Sequence, residues 1–129
     1  MAVIAIGVDI CEVERIRDIE NQHKLRFLQK VFTPSEIAYC EKKVDKYYSL
    51  AARFAAKEAL LKAIGTGLRE GLQWKDIEVK NDTLGKPFFR LHGKTAEILT
   101  DQKVLLSLSH TDENAIAFVI IEGDPFNHD

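Results

Sequence analysis

The chain has 129 residues, of which 46% are hydrophobic and 29% charged, with a formal net charge of −2. That composition belongs to an ordinary globular domain with enough length to bury a core. It excludes a disordered chain and a disulfide scaffold, and gives no overall basic field for nucleic acid. The two cysteines, Cys11 and Cys40, lack metal-type spacing and read as small buried hydrophobes of a reduced, cytosolic protein. The apolar start, Met1 to Ile10, has no basic n-region, contains Asp9 and is too short to cross a bilayer, so neither a leader nor a membrane anchor is expected.

Val3 to Ile10 is apolar and rich in β-branched residues on both faces, which predicts a strand that is central or covered on both sides. Val3, Ala5, Gly7 and Asp9 share one face; Ile4, Ile6, Val8 and Ile10 share the other. Gly7 marks close approach by another group, and Asp9, near the strand end, is a candidate site residue. Glu12 to Glu20 and Lys24 to Val31 read as two short helices. Thr33-Pro34-Ser35-Glu36 is a helix start: Thr33 is the N-cap, Pro34 takes the first helical position and Glu36 closes a capping box. That helix runs to about Lys42. From about Asp45 to Ile64 the residues are strong helix formers, until Gly65 stops the run. Apolar residues cover more than half of its circumference, so this long helix is expected to be buried on several sides.

Gly65 to Gly71 is a glycine-punctuated loop without P-loop spacing. Ile77 to Asn81 and Pro87 to His92 predict a hairpin through Asp82-Thr83-Leu84-Gly85. Gly93 to Asp101 predicts a short helix. Val104 to Ser109 and Ala115 to Glu122 predict a second hairpin, turning through Thr111 to Asn114. Gly123 to Asp129 is a polar tail expected to fray. This order gives an α+β fold, with a mostly antiparallel sheet packed on the long central helix and a single domain over residues 1–122.

Asp9 and Glu58 are acids in apolar elements far apart in sequence. If the long helix packs on the first strand they converge, and two converging carboxylates require a proton or a cation between them. A hard divalent ion suits such a pair. The bland alternative has Asp9 capping the helix that follows it and Glu58 pairing with Lys62 on a wet helix face. Lys57 and Lys62 are candidates to hold phosphate, or equally solvated helix charges. His110 continues the face of Leu106 and Leu108, whereas Ser107 and Ser109 face the other way. No acid stands where Ser109 and His110 would need one to act as a nucleophile and base. Trp74 reads as packing. Arg15 to Lys30 is locally basic, either a solvated face or a docking surface for an acidic partner.

Three motifs are similar to those of a known family: Gly7-Val8-Asp9-Ile10; Arg53-Phe54-Ala55-Ala56-Lys57-Glu58-Ala59 continuing through Lys62-Ala63 to Gly65-Thr66-Gly67; and Ser107-Leu108-Ser109-His110 before an alanine-containing strand. Asn81, Gly85-Lys86-Pro87 and the Thr33 helix start support them. Over residues 3–122 the chain resembles the holo-acyl-carrier-protein synthases, the small bacterial type of phosphopantetheinyl transferase. The resemblance implies Mg²⁺-dependent transfer of phosphopantetheine from coenzyme A to a serine of apo-acyl carrier protein, in cytosolic fatty-acid synthesis, with adenosine 3′,5′-bisphosphate as the other product. It implies Asp9 and Glu58 as metal ligands and Glu58, Lys62 and His110 as catalytic residues. Either Glu58 or a water on the metal takes the serine proton. It further implies Arg53, Lys62, Gly65, Gly85, Lys86, Pro87, Ser109 and His110 in the coenzyme A pocket, and Arg15, Arg26, Phe27 and Lys30 on the carrier-docking face. The implied assembly is a homotrimer with its pockets between subunits. Two rivals are a non-catalytic module binding an acidic helical partner and a transferase for polyketide or peptide synthase carriers; intact Asp9, Glu58 and Lys62 weigh against the first.

Overall fold

The computed structural model describes residues 1–23, 25–69 and 71–125. Lys24 of the basic segment, Glu70 of the glycine loop and residues 126–129 of the tail lie outside the described residues. The elements follow the order β1 (Val3–Glu12), α1 (Val13–His23), α2 (Leu25–Val31), α3 (Pro34–Glu41), α4 (Lys46–Ile64), a 3₁₀ turn (Trp74–Asp76), β2 (Ile77–Asn81), β3 (Pro87–Leu91), α5 (Gly93–Ile98), β4 (Lys103–His110) and β5 (Asn114–Glu122). This is the expected α+β architecture, and every strand pair among the described residues is antiparallel. The strands form two sheets: β1-β5-β4, and the separate hairpin β2-β3.

Helix α4 is the axis of the molecule. Asp45 caps its start by accepting from the Tyr47 amide, and Gly65, at φ 94°, ends it in the left-handed region that favours glycine. Ala51, Ala55, Ala56 and Ala59 are fully buried along it. Their small side chains let the sheet come close, and Gly7 of β1 completes the approach: a Cβ there would collide with the Ala59 carbonyl oxygen. Helix α3 begins with the anticipated capping box, in which Thr33 accepts from the Glu36 amide and Glu36 accepts from the Thr33 amide.

Three expectations change. Strand β1 is neither central nor covered on both sides in the single chain: β5 lies between β1 and β4, and Ile6, Val8 and Ile10 are more than half exposed. The face carrying Gly7, Asp9 and Cys11 packs inward, while its apolar reverse side has no cover within the chain. Helix α5 ends at Ile98, three residues early, where Leu99 leaves helical geometry at ψ 19°. The tail is fastened where it begins: the Gly123 amide donates to Ala2, and the Gln102 side chain donates to the Asp124 carbonyl. No helix among the described residues is long and apolar enough to cross a membrane.

Candidate active site

Packing α4 against β1 brings Asp9 and Glu58 together, the first of the two arrangements the residues left open. Asp9 sits within β1, paired in register with Ala117, so it is not the cap of α1. Lys62, one turn beyond Glu58, donates to Asp9 Oδ1 at 2.7 Å and to the Val8 carbonyl at 3.2 Å. The anticipated Glu58–Lys62 ion pair is therefore replaced by a Lys62–Asp9 pair. Burial first, and the neighbouring Asp9 carboxylate second, hold the Glu58 carboxyl above its ordinary range; Arg15 and Lys62 pull the other way. Lys62, mostly exposed, is raised chiefly by its bond to Asp9. Among the described residues no third His, Cys, Asp or Glu joins the pair. Two carboxylates with an open side suit a hard divalent cation that keeps waters or takes oxygens from a phosphate.

Glu58 and Lys62 line a cleft of about 430 Å³ together with Leu61, Gly65, Gly67, Leu68 and Trp74. Its lining combines the charged Glu58 and Lys62 with the apolar Leu61, Leu68 and Trp74. Trp74 is the residue that sequence reasoning missed. Its ring stacks on Phe54, centroids 5.2 Å apart, and it also forms part of the cleft wall. One residue between a glycine loop and a strand carries no periodicity, so only its three-dimensional neighbours reveal this role.

Lys57 does not reach the cleft. It is fully buried and donates to Glu36 Oε1 (2.8 Å), the Trp74 carbonyl (3.1 Å) and the Ile77 carbonyl (2.6 Å). An ammonium has three hydrogens to give, and all three have acceptors. Its candidacy as a phosphate ligand fails on that geometry.

The remaining candidates form separate groups. Arg53 lies about 140° around α4 from Glu58. It is buried, 4.1 Å from the Tyr39 ring centre, and donates to Asn81 Oδ1 at 2.5 Å. Asn81 in turn donates to the Gly85 carbonyl at 3.0 Å, which ties Arg53 to the exposed turn of Gly85, Lys86 and Pro87. His110 packs its ring on Tyr48, centroids 5.5 Å apart. Tyr48 precedes Glu58 on α4 by about 15 Å of helix, so within one chain His110 is remote from the carboxylate pair. Ser109 faces away from His110, in register with exposed Ile116.

The basic segment makes a groove lined by Ile19, Arg26, Phe27, Gln29 and Lys30. Phe27 packs on Phe54 at 6.0 Å, and the Arg15 guanidinium sits 5.9 Å from the same ring. Phe54 thus packs against one wall residue of each, Phe27 of the groove and Trp74 of the cleft. Arg17 is engaged instead with Glu14 and Asp45.

Comparison with known proteins places the chain in a family. Residues 5–119 match the 4′-phosphopantetheinyl transferase superfamily. The chain belongs to that superfamily. A holo-[acyl-carrier-protein] synthase of Geobacter sulfurreducens is 44% identical over 123 residues, covering 93% of this chain and 98% of that protein. The crystal structure of the Neisseria meningitidis holo-[acyl-carrier-protein] synthase aligns with a TM-score of 0.85 at 34% identity, over 94% of this chain and 99% of that one. The Helicobacter pylori holo-[acyl-carrier-protein] synthase, solved in complex with coenzyme A, aligns with a TM-score of 0.81 at 32% identity, over 91% and 99%. In this phosphopantetheinyl transferase chain the three sequence motifs fall on β1, α4 and β4, the elements that pack together through β5 and the face of α4.

Proposed function

We propose that this chain transfers 4′-phosphopantetheine from coenzyme A to a serine hydroxyl of apo-acyl carrier protein, releasing adenosine 3′,5′-bisphosphate. The observation that carries this reading is the meeting of Asp9, Glu58 and Lys62, the last two of which line one cleft. Asp9 and Glu58 would hold Mg²⁺, which neutralises charge on a bound pyrophosphate and aligns it for in-line attack. Lys62 places an ammonium beside the reacting phosphate. Glu58, held above its usual range in the absence of a cation, is positioned to accept the serine proton. The groove of Arg26, Phe27 and Lys30, with Arg15 beside it, presents positive charge and an aromatic anchor to an acidic helical carrier.

The same reading makes the enzyme a cytosolic homotrimer serving fatty-acid synthesis, with residues 1–122 as its transferase domain. The uncovered sheet face of Ile6, Val8, Ile10, Leu105, Ile116 and Phe118 supports assembly, since such a continuous apolar patch normally marks an interface. So does the separation of His110 and the Arg53-linked turn from Glu58 in one chain. A neighbouring subunit bringing Arg53, Gly85, Lys86, Pro87, Ser109 and His110 to the cleft would unite the two groups into one coenzyme A site.

The test is the mass of apo-acyl carrier protein after incubation with the enzyme, coenzyme A and Mg²⁺, with chelator in a parallel sample. A gain equal to phosphopantetheine, lost with chelator, is expected. No gain with a competent carrier would refute the reading, and a gain confined to carrier domains of polyketide or peptide synthases would reassign the partner. Light scattering of the same preparation should give three times the chain mass, and Val8→Lys should reduce it to one.

A further inference from the structure

The apolar part of the cleft lining has no part in the chemistry described so far. Leu61, Leu68 and Trp74 line the cleft together with Glu58 and Lys62. Trp74 is held from two directions. Its ring leans on Phe54, and its carbonyl accepts from the buried Lys57 ammonium, which also binds the Ile77 carbonyl and Glu36. Trp74 is therefore held in place, and it puts an aromatic residue in the lining of the same cleft as the Lys62 ammonium.

Coenzyme A offers two neighbours to its pyrophosphate. One is a ribose, polar and itself phosphorylated. The other is the pantoyl segment, whose first carbons carry a geminal dimethyl group. Only the second matches a lining that sets apolar side chains among the charged ones. A carrier side chain is the competing occupant, but the basic groove is lined by Arg26, Phe27 and Lys30, none of which lines this cleft. We propose that Trp74, with Leu61 and Leu68, is the contact surface for the geminal dimethyl group of the pantoyl segment. The ring thereby orients the phosphorus–oxygen bond that breaks. This rests on the transferase reading above.

Trp74 is the single tryptophan of the chain, so its emission reports on this wall alone. Titration of the whole enzyme in Mg²⁺ with coenzyme A should change that emission, whereas adenosine 3′,5′-bisphosphate, which lacks the pantoyl segment, should leave it nearly unchanged. Trp74→Ala should raise KM for coenzyme A about tenfold, leave inhibition by adenosine 3′,5′-bisphosphate within about twofold, and be largely rescued in Trp74→Phe. Equal weakening of coenzyme A and the bisphosphate would overturn the proposal, because a merely structural ring disturbs both. So would an emission change produced by apo-carrier alone together with a KM increase confined to the carrier. If the unaltered enzyme transfers nothing, the parent reading fails; if it transfers normally while Trp74→Ala matches it in KM, only this assignment fails.

Discussion

Lys57 and Glu58 are neighbours in the chain, and the clusters they join show two ways of placing charge in a protein interior. Around Lys57 every demand is met from within: three donors meet three acceptors, and Glu36, 1% exposed, also receives the Thr33 amide on Oε1 and the Val79 amide on Oε2. Around Glu58 the balance is left open. Two carboxylates face each other, Arg15 and the exposed Lys62 only partly offset them, and burial and Asp9 together raise the Glu58 pKa. The closed cluster fixes α3, α4 and the segment from Trp74 to Val79 relative to one another. The open one is what, under the proposed function, a charged ligand would complete. Burial alone does not separate these roles; whether the partners are all supplied by the chain does.

The sharpest way to break the comparison is to neutralise each cluster in turn. Glu58→Gln, with Asp9→Ala beside it, should lower kcat by about a thousandfold or more while the unfolding midpoint holds to within about 0.5 kcal/mol. Turnover kept in either variant would remove that residue from the site. Lys57→Met should do the reverse, costing about 3–5 kcal/mol of stability by stranding Glu36 without its charge partner, as read by denaturant unfolding. A Lys57→Met variant as stable as the parent would show that the buried pair fixes nothing.

A smaller effect comes from Glu78, which extends the closed region toward β3. Burial pushes its carboxyl up, but hydrogen bonds from Ser35 (2.5 Å), Thr33 (2.7 Å) and His92 (3.1 Å) outweigh it and bring it down to about 2. Because the folded value lies below the ordinary one, the stabilisation is present above pH 4.5 and is lost as pH falls through 2. It amounts to at most about 3 kcal/mol. Glu78→Gln should flatten the acid limb of the stability curve between those values; an unchanged acid limb would place the sensitivity elsewhere.

Much of this could be read from the residues in order. The capping box at Thr33, the two hairpins and the length of α4 follow from local chemistry, whereas the meeting of Asp9 with Glu58 is only one of two arrangements that acids in apolar elements leave open. What escaped has a common cause. A helix apolar around most of its circumference gives no phase, so nothing in the pattern assigned Lys57 to the interior and Lys62 to the cleft. A strand apolar on both faces does not say whether its second cover comes from its own chain, and for Ile6, Val8 and Ile10 it does not. The distance between His110 and Glu58 depends on how far apart Tyr48 and Glu58 lie along α4 once β4 has docked, a long-range fact absent from either motif.

The contact between Gly7 and Ala59 has a consequence for tolerance. Asp9 stands two residues after Gly7, and Glu58 one residue before Ala59, so the backbone contact is the hinge of a short caliper whose tips are the two carboxylates. A methyl group inserted at residue 7 would open that caliper by roughly the width of an atom, while oxygen ligands of a small cation must be set to within a few tenths of an ångström. The missing side chain at residue 7 is thus a calibration: it is the jaw setting at which two acids from distant parts of the chain meet, and at which, under the proposed function, they would grip the same ion.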